Sequence, residues 1–150
     1  MDDIDKKILM LLQRNAKQNT KEIAEKVGLT VSPTFERIKK LEQQGFIKGY
    51  VALLDGSKVG KSIVVYSQIS LSVHSRELID DFKTNIANLP EILGCHHVSG
   101  NYDFLLKVAV RDMNEYQQFV VDKLSVIKGI SNVQSSFVME EIKNDTAYIL

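Results

Sequence analysis

A chain of 150 residues, 44% hydrophobic and 25% charged, has the balance of one ordinary globular domain or two small ones, not of a disordered or fibrous protein. No uninterrupted apolar run exceeds five residues, far short of the roughly 18 that suggest a membrane span. The opening Met1-Asp2-Asp3-Ile4-Asp5 lacks the basic and then apolar start of a signal peptide, and one cysteine, Cys95, excludes a disulfide framework or a cysteine-based zinc site. A cytoplasmic protein is expected. Nineteen basic and nineteen acidic residues cancel overall. They are segregated, however: residues 1–61 hold twelve Lys and Arg against eight Asp and Glu, and residues 62–150 hold seven against eleven. Locally the chain carries one basic surface and one acidic one.

The first 45 residues predict three helices. Ile4, Ile8, Leu9, Leu11 and Leu12 recur at helical spacing, with acids at the start and Arg14 in the last turn, as the helix dipole favours. After the polar Asn15–Asn19, Thr20 is placed to cap a second helix carrying Ile23, Ala24 and Val27 and ending at Gly28. A third helix starts near Val31 to Pro33, where proline's missing N–H is not needed. Phe35, Ile38 and Leu41 are its expected buried stripe, and Gly45 stops it. Phe46 to Leu54 reads as a strand, and Asp55 to Gly60 as a turn or linker.

From Ile63 the period changes to two. Ile63, Val65, Ser67, Ile69, Leu71 and Val73 share one strand face, with Val64, Tyr66, Gln68, Ser70 and Ser72 on the other. A helix over 76–89 follows, carrying Leu78, Ile79, Phe82, Ile86 and Leu89 and stopped by Pro90. A hairpin comes next, with strands 92–99 and 102–110 and a tight Gly100-Asn101 turn. Asp112 caps a helix carrying Tyr116, Phe119, Val120, Leu124 and Ile127, and residues 130–142 supply the last strand. A shift of 38 residues superposes Leu78, Phe82, Ile86, Leu89 and Ile92 on Tyr116, Val120, Leu124, Ile127 and Ile130. Two such βαβ halves describe a ferredoxin-like sandwich with a four-stranded antiparallel sheet and both helices on one face. The fold class is therefore α+β. Its expected parts are a helix-turn-helix domain (1–45), a hinge strand and linker (46–61), a βαββαβ domain (62–142) and a tail (143–150). The open sheet face, partly apolar through Val64 and Tyr66, asks for a second chain as cover.

Thr20 to Leu41 has the spacing of a helix-turn-helix. With Thr20 as its first position, Ile23, Val27 and Leu29 fall where apolar residues belong. Ala24 falls at the close helix crossing, and Gly28 where the turn needs positive φ. The stripe beginning at Phe35 lies one residue later than the simplest pattern, which implies a stretched turn. The opposite face then shows Ser32, Pro33, Glu36, Arg37 and Lys40. Arg37 suits a bidentate pair with guanine, Ser32 and Thr34 suit bases or phosphates, and Lys39 and Lys40 suit phosphates. The plainer reading is a three-helix bundle with solvated charges and a Glu36–Lys40 pair.

Taken together, several blocks resemble the Lrp/AsnC family of transcription regulators, the leucine-responsive or feast/famine proteins. In the first half they are Ile4-Asp5-Lys6-Lys7-Ile8-Leu9, Glu36-Arg37-Ile38-Lys39-Lys40-Leu41-Glu42 and Gly45-Phe46-Ile47-Lys48-Gly49-Tyr50. In the second half they are Cys95 through Lys107, containing Gly100-Asn101-Tyr102-Asp103, and Val138-Met139-Glu140-Glu141. The resemblance runs from Asp3 to about Lys143. It implies a regulator that binds double-stranded DNA through its N-terminal domain and an amino-acid effector through its C-terminal domain. It also implies dimers that assemble further into octamers.

The family's glycine-x-aromatic-aspartate motif places the effector at Gly100, Asn101, Tyr102 and Asp103, between subunits, with Ser135 and Ser136 as polar contacts from the neighbouring chain. A free amino acid needs an acceptor for its ammonium and donors for its carboxylate, and a glycine turn beside an aspartate offers both. Relatives often have an acid where this chain has Asn101, so the pocket here carries one negative charge fewer. The plainer reading is a turn whose Asp103 bonds its own backbone. His96 and His97, adjacent on a strand, point to opposite faces and cannot share a metal, and His74 is distant in sequence. Cys95 reads as a small buried hydrophobe. No cofactor is expected, and no catalytic group has an evident partner, so an enzyme is not expected. The rival is an oligomeric amino-acid sensor that acts through protein contacts without DNA.

Overall fold

The computed structural model describes all 150 residues, which form two compact units. One comprises Met1–Leu53 with Ile142–Leu150, and the other Leu54–Glu141. No helix is long and apolar enough to cross a membrane.

The first unit holds α1 (Asp3–Arg14), α2 (Thr20–Val27) and α3 (Val31–Gln43). Their starts are set by local chemistry. Asp2 caps α1, accepting from the Asp5 N–H while the Asp5 carboxylate accepts from the Asp2 N–H, a reciprocal capping box. Asn19, not Thr20, caps α2 through the same exchange with Glu22. Gly28 ends α2 at φ +73°, a conformation costly for any residue with a Cβ. Ile8, Leu9, Leu12, Ile23 and Leu41 make the core.

Two further expectations fail in this unit. The stripe of α3 is Thr34, Ile38 and Leu41, while Phe35 is 51% exposed. Thr34 is buried because its hydroxyl donates to the Thr30 carbonyl at 2.9 Å, so a polar residue sits on the apolar face at no hydrogen-bonding cost. That restores the simple helix-turn-helix phase, and the turn is not stretched. The hinge strand over 46–54 is also absent: this stretch is irregular, with Val51, Leu53 and Leu54 strongly exposed. Phe46, Ile47, Tyr50, Val51 and Leu53 give it the composition of a strand, but no strand of the chain pairs with it. The tail belongs to this unit, and the Gln13 carboxamide bonds both the N–H and the carbonyl of Tyr148.

The second unit opens with a 3₁₀ turn, Gly56–Val59. It continues through β1 (Ile63–Leu71), α4 (Arg76–Ala87), β2 (Ile92–His97), β3 (Phe104–Val110), α5 (Met113–Gln118) and β4 (Ile130–Phe137). Residues Phe119–Leu124 extend α5 as a π-helical segment. The strands are antiparallel in the order β2-β3-β1-β4, the expected βαββαβ topology. Val65, Ile69, Phe82, Phe104, Leu106, Val108, Phe119 and Leu124 fill the space between sheet and helices. The last strand stops at Phe137 rather than reaching residue 142. No two-residue turn joins β2 to β3. A six-residue loop, 98–103, does so, closed by the Val98 N–H on the Asp103 carbonyl at 2.9 Å. Cys95 is exposed rather than buried.

Candidate functional site

In the first unit, α3 presents a continuous exposed face. Ser32, Pro33, Glu36, Lys39 and Lys40 all lie on the surface. The tight α2–α3 turn leaves this face uncovered by α2, and two of its five members are cations. Thr34 is removed from the candidate contacts, since it is fully buried and its hydroxyl is already bonded.

Arg37 is engaged within the unit. Its Nη1 lies 2.7 Å from both Asp2 Oδ2 and Asp5 Oδ1, with one third of the side chain exposed. The guanidinium thus joins α3 to the capped start of α1 instead of pointing outward. The Asp2 carboxyl is held below its ordinary range, first by the Asp5 N–H and then by Arg37, whose own pKa the two acids raise. Arg37→Ala is expected to lower the melting temperature by a few degrees, with a smaller loss at high salt because the pair is partly solvated. Thermal unfolding at two ionic strengths checks this. An unchanged melting temperature with lost DNA sequence preference would return Arg37 to base reading.

Beside α3 an apolar groove of about 460 Å³ is lined by Leu12, Ile23, Phe35, Ile38, Lys39 and Tyr50, among others. The Tyr50 hydroxyl donates to Glu42 at 2.8 Å. Burial, then Glu42, pushes its pKa up to about 12.

In the second unit the 98–103 loop is organised by Asp103. Its N–H donates to the Ile69 carbonyl at 2.8 Å, its Oδ2 accepts from the Leu71 N–H at 2.7 Å, and its Oδ1 is 2.7 Å from His74 Nε2. The carboxyl is held below its ordinary range, first by the Leu71 N–H and then by His74. Gly100 has φ +143°, which disfavours a side chain there. The N–H groups of Ser99, Gly100, Asn101 and Tyr102 take no carbonyl of the chain. An ionised carboxylate therefore stands beside four successive free donors, a pairing suited to a zwitterion.

Ser135 and Ser136 do not join this loop within one chain. They pair with Ser67 and Tyr66, while the loop lies beyond Ile69, on the far side of β1. They also face opposite sides of the sheet. Ser135 lies on the helix side, where its hydroxyl and that of Ser67 bond the Tyr116 hydroxyl, and Ser136 lies on the open side. His96 and His97 alternate in the same way, His97 stacking on Phe104 with ring centroids 4.7 Å apart. The residue missed from sequence is His74. Only the β1–β3 register, with Ile69 opposite Phe104, brings it to Asp103.

Comparisons with known proteins agree with these two units. A winged helix-turn-helix DNA-binding family matches residues 1–48, and the Lrp/AsnC ligand binding domain matches residues 64–148. The DNA-binding transcriptional activator DecR of Escherichia coli is 40% identical over 147 residues, covering 98% of this chain and 97% of that protein. The leucine-responsive regulatory protein of the same organism is 36% identical over 150 residues, covering 100% and 92%. Among solved structures, a transcriptional regulator from Neisseria meningitidis in complex with L-Met superposes with a TM-score of 0.95 at 35% identity, covering 99% of this chain and 96% of that one.

Proposed function

This chain belongs to the Lrp/AsnC family of transcription regulators, and on that premise we propose which of its residues meet DNA and effector. It is a DNA-binding regulator with a ligand-binding domain, not an enzyme. The DNA contacts are assigned to the exposed face of α3. Ser32, Pro33 and Glu36 sit near the helix start, where a recognition helix meets base edges, and Lys39 and Lys40 hold phosphates. One observation carries this assignment: the face is free of intramolecular partners on an intact helix-turn-helix, whereas Thr34 and Arg37 are engaged.

The effector is an α-amino acid held at Gly100, Asn101, Tyr102 and Asp103, its ammonium on the Asp103 carboxylate and its carboxylate on the loop N–H groups. The unused donors support this, as does the L-Met bound by the Neisseria relative. A second copy covers the open sheet face carrying Val64, Tyr66 and Leu105, making a dimer that builds octamers. Ser136, on that face, is kept as a contact from the neighbouring chain, and Ser135, tied to Tyr116, is not.

The test is selection from random duplex DNA, with and without each standard amino acid. Enrichment of a defined motif, altered in yield or spacing by at least one amino acid, is expected. No enrichment would remove sequence-specific reading, and enrichment indifferent to every amino acid would remove the effector.

A further inference from the structure

Asp103 fastens three segments together: its own loop, the end of β1 through Leu71, and the connection from β1 to α4 through His74. The two side-chain bonds differ in kind. The Leu71 N–H lies two residues beyond Ile69, where the pairing of β1 with β3 ends, so the Oδ2 bond takes the place of the next rung of that ladder. The Oδ1 bond to His74 has no such duty. The His74 side chain is 67% exposed, against 18% for Asp103, and it lies in the connector just before Ser75, the cap of α4. A pair this exposed on one side adds little to folding.

Its effect falls on the carboxylate instead. Held at Oδ2 alone, the group can swing about its Cβ–Cγ bond; held at both oxygens, its remaining lone pairs have one direction. Fixing a recognition group before binding strengthens binding by removing that ordering cost.

We propose that His74 is a positioning residue of the ligand site, locking the Asp103 carboxylate in the orientation that receives the ammonium of an α-amino acid. The inference rests on the loop 98–103 being the ligand site, as proposed above. His74 does not touch the ligand; it donates from Nε2 to Oδ1 and leaves the other lone pair of each oxygen free. The neighbouring His97 is stacked on Phe104 and makes no hydrogen bond to Asp103. Of the two histidines, His74 alone bonds it.

The experiment is a thermal-shift titration of the full chain with each standard amino acid, the tightest binder then being measured by calorimetry. His74→Ala is expected to weaken that binding about tenfold, the ordering cost of roughly one side chain no longer fixed in advance, with the melting temperature of the unliganded protein unchanged. His74→Gln, which keeps an N–H donor, is expected to recover most of the loss, whereas a merely structural role would lower the unliganded melting temperature. If Asp103→Asn abolishes binding while His74→Ala leaves the constant unchanged, the His74 proposal fails and the ligand site stands. If both variants bind like the unaltered protein, or no amino acid binds at all, the ligand site fails and the proposal with it.

Discussion

Replacing Phe104 with alanine is expected to remove about 3–5 kcal/mol from the stability of the ligand-binding domain, the usual cost of a phenyl-sized cavity in a closed core. Phe104 is among the largest fully buried side chains. Its ring lies 4.4 Å from that of Phe82 on α4 and 4.7 Å from that of His97 on β2, so the site cannot collapse without moving both a helix and an edge strand. A domain of this size has about 5–15 kcal/mol in all, so the loss is a large share of the total. Urea denaturation followed by circular dichroism measures it; a loss under about 1 kcal/mol would be that of an ordinary surface substitution. Because Phe104 directly follows Asp103, ligand binding should fail in the same variant even where the domain stays folded.

Asp103→Ala is expected to abolish the response to amino acids while leaving DNA affinity intact. The substitution removes the ammonium acceptor and unpairs the Leu71 N–H and His74 together, so binding should weaken by roughly a hundredfold or more. The pH dependence has a definite sign. The Asp103 pKa is lowered from an ordinary 3.8 in the folded protein, so its contribution is fully present above that value and is lost as pH falls through the lower folded one. The stability gap between the unaltered protein and the variant should therefore be constant near neutrality and close on acidification. Melting temperatures across that range check it. A gap that widened in acid would mean that Asp103 is not held as a carboxylate.

Most of the fold was legible because its determinants are local. The Gly28 turn, the Asp112 cap and the alternation along β1 each lie within a few residues of what they specify. The failures share the opposite property. Residues 46–54 have the aromatic and β-branched content of a strand, but a strand needs a partner, and none is supplied by this chain. The stripe of α3 slipped by one residue because Thr34 is polar, and nothing in the sequence says that Thr30 will satisfy its hydroxyl. Arg37 meets carboxylates 32 and 35 residues away, which requires the packing of α3 on α1. Asp103 meets His74 across 29 residues through a strand register. At the site, the loop residues were readable as a motif, whereas the bonds that orient them were set by tertiary structure.

The central claim, that the exposed face of α3 lies on DNA, is tested most directly by salt dependence. Binding of the full chain to a selected duplex is followed by fluorescence anisotropy over a salt series, for the unaltered protein and for the variant with Lys39→Ala and Lys40→Ala. Both lysines are exposed, so the fold should persist. Each phosphate contact contributes about 0.9 to the slope of log affinity against log salt, so the double variant should lose roughly 2 units of slope together with affinity at low salt. Identical slopes for the two proteins would contradict the account and place the DNA on another surface.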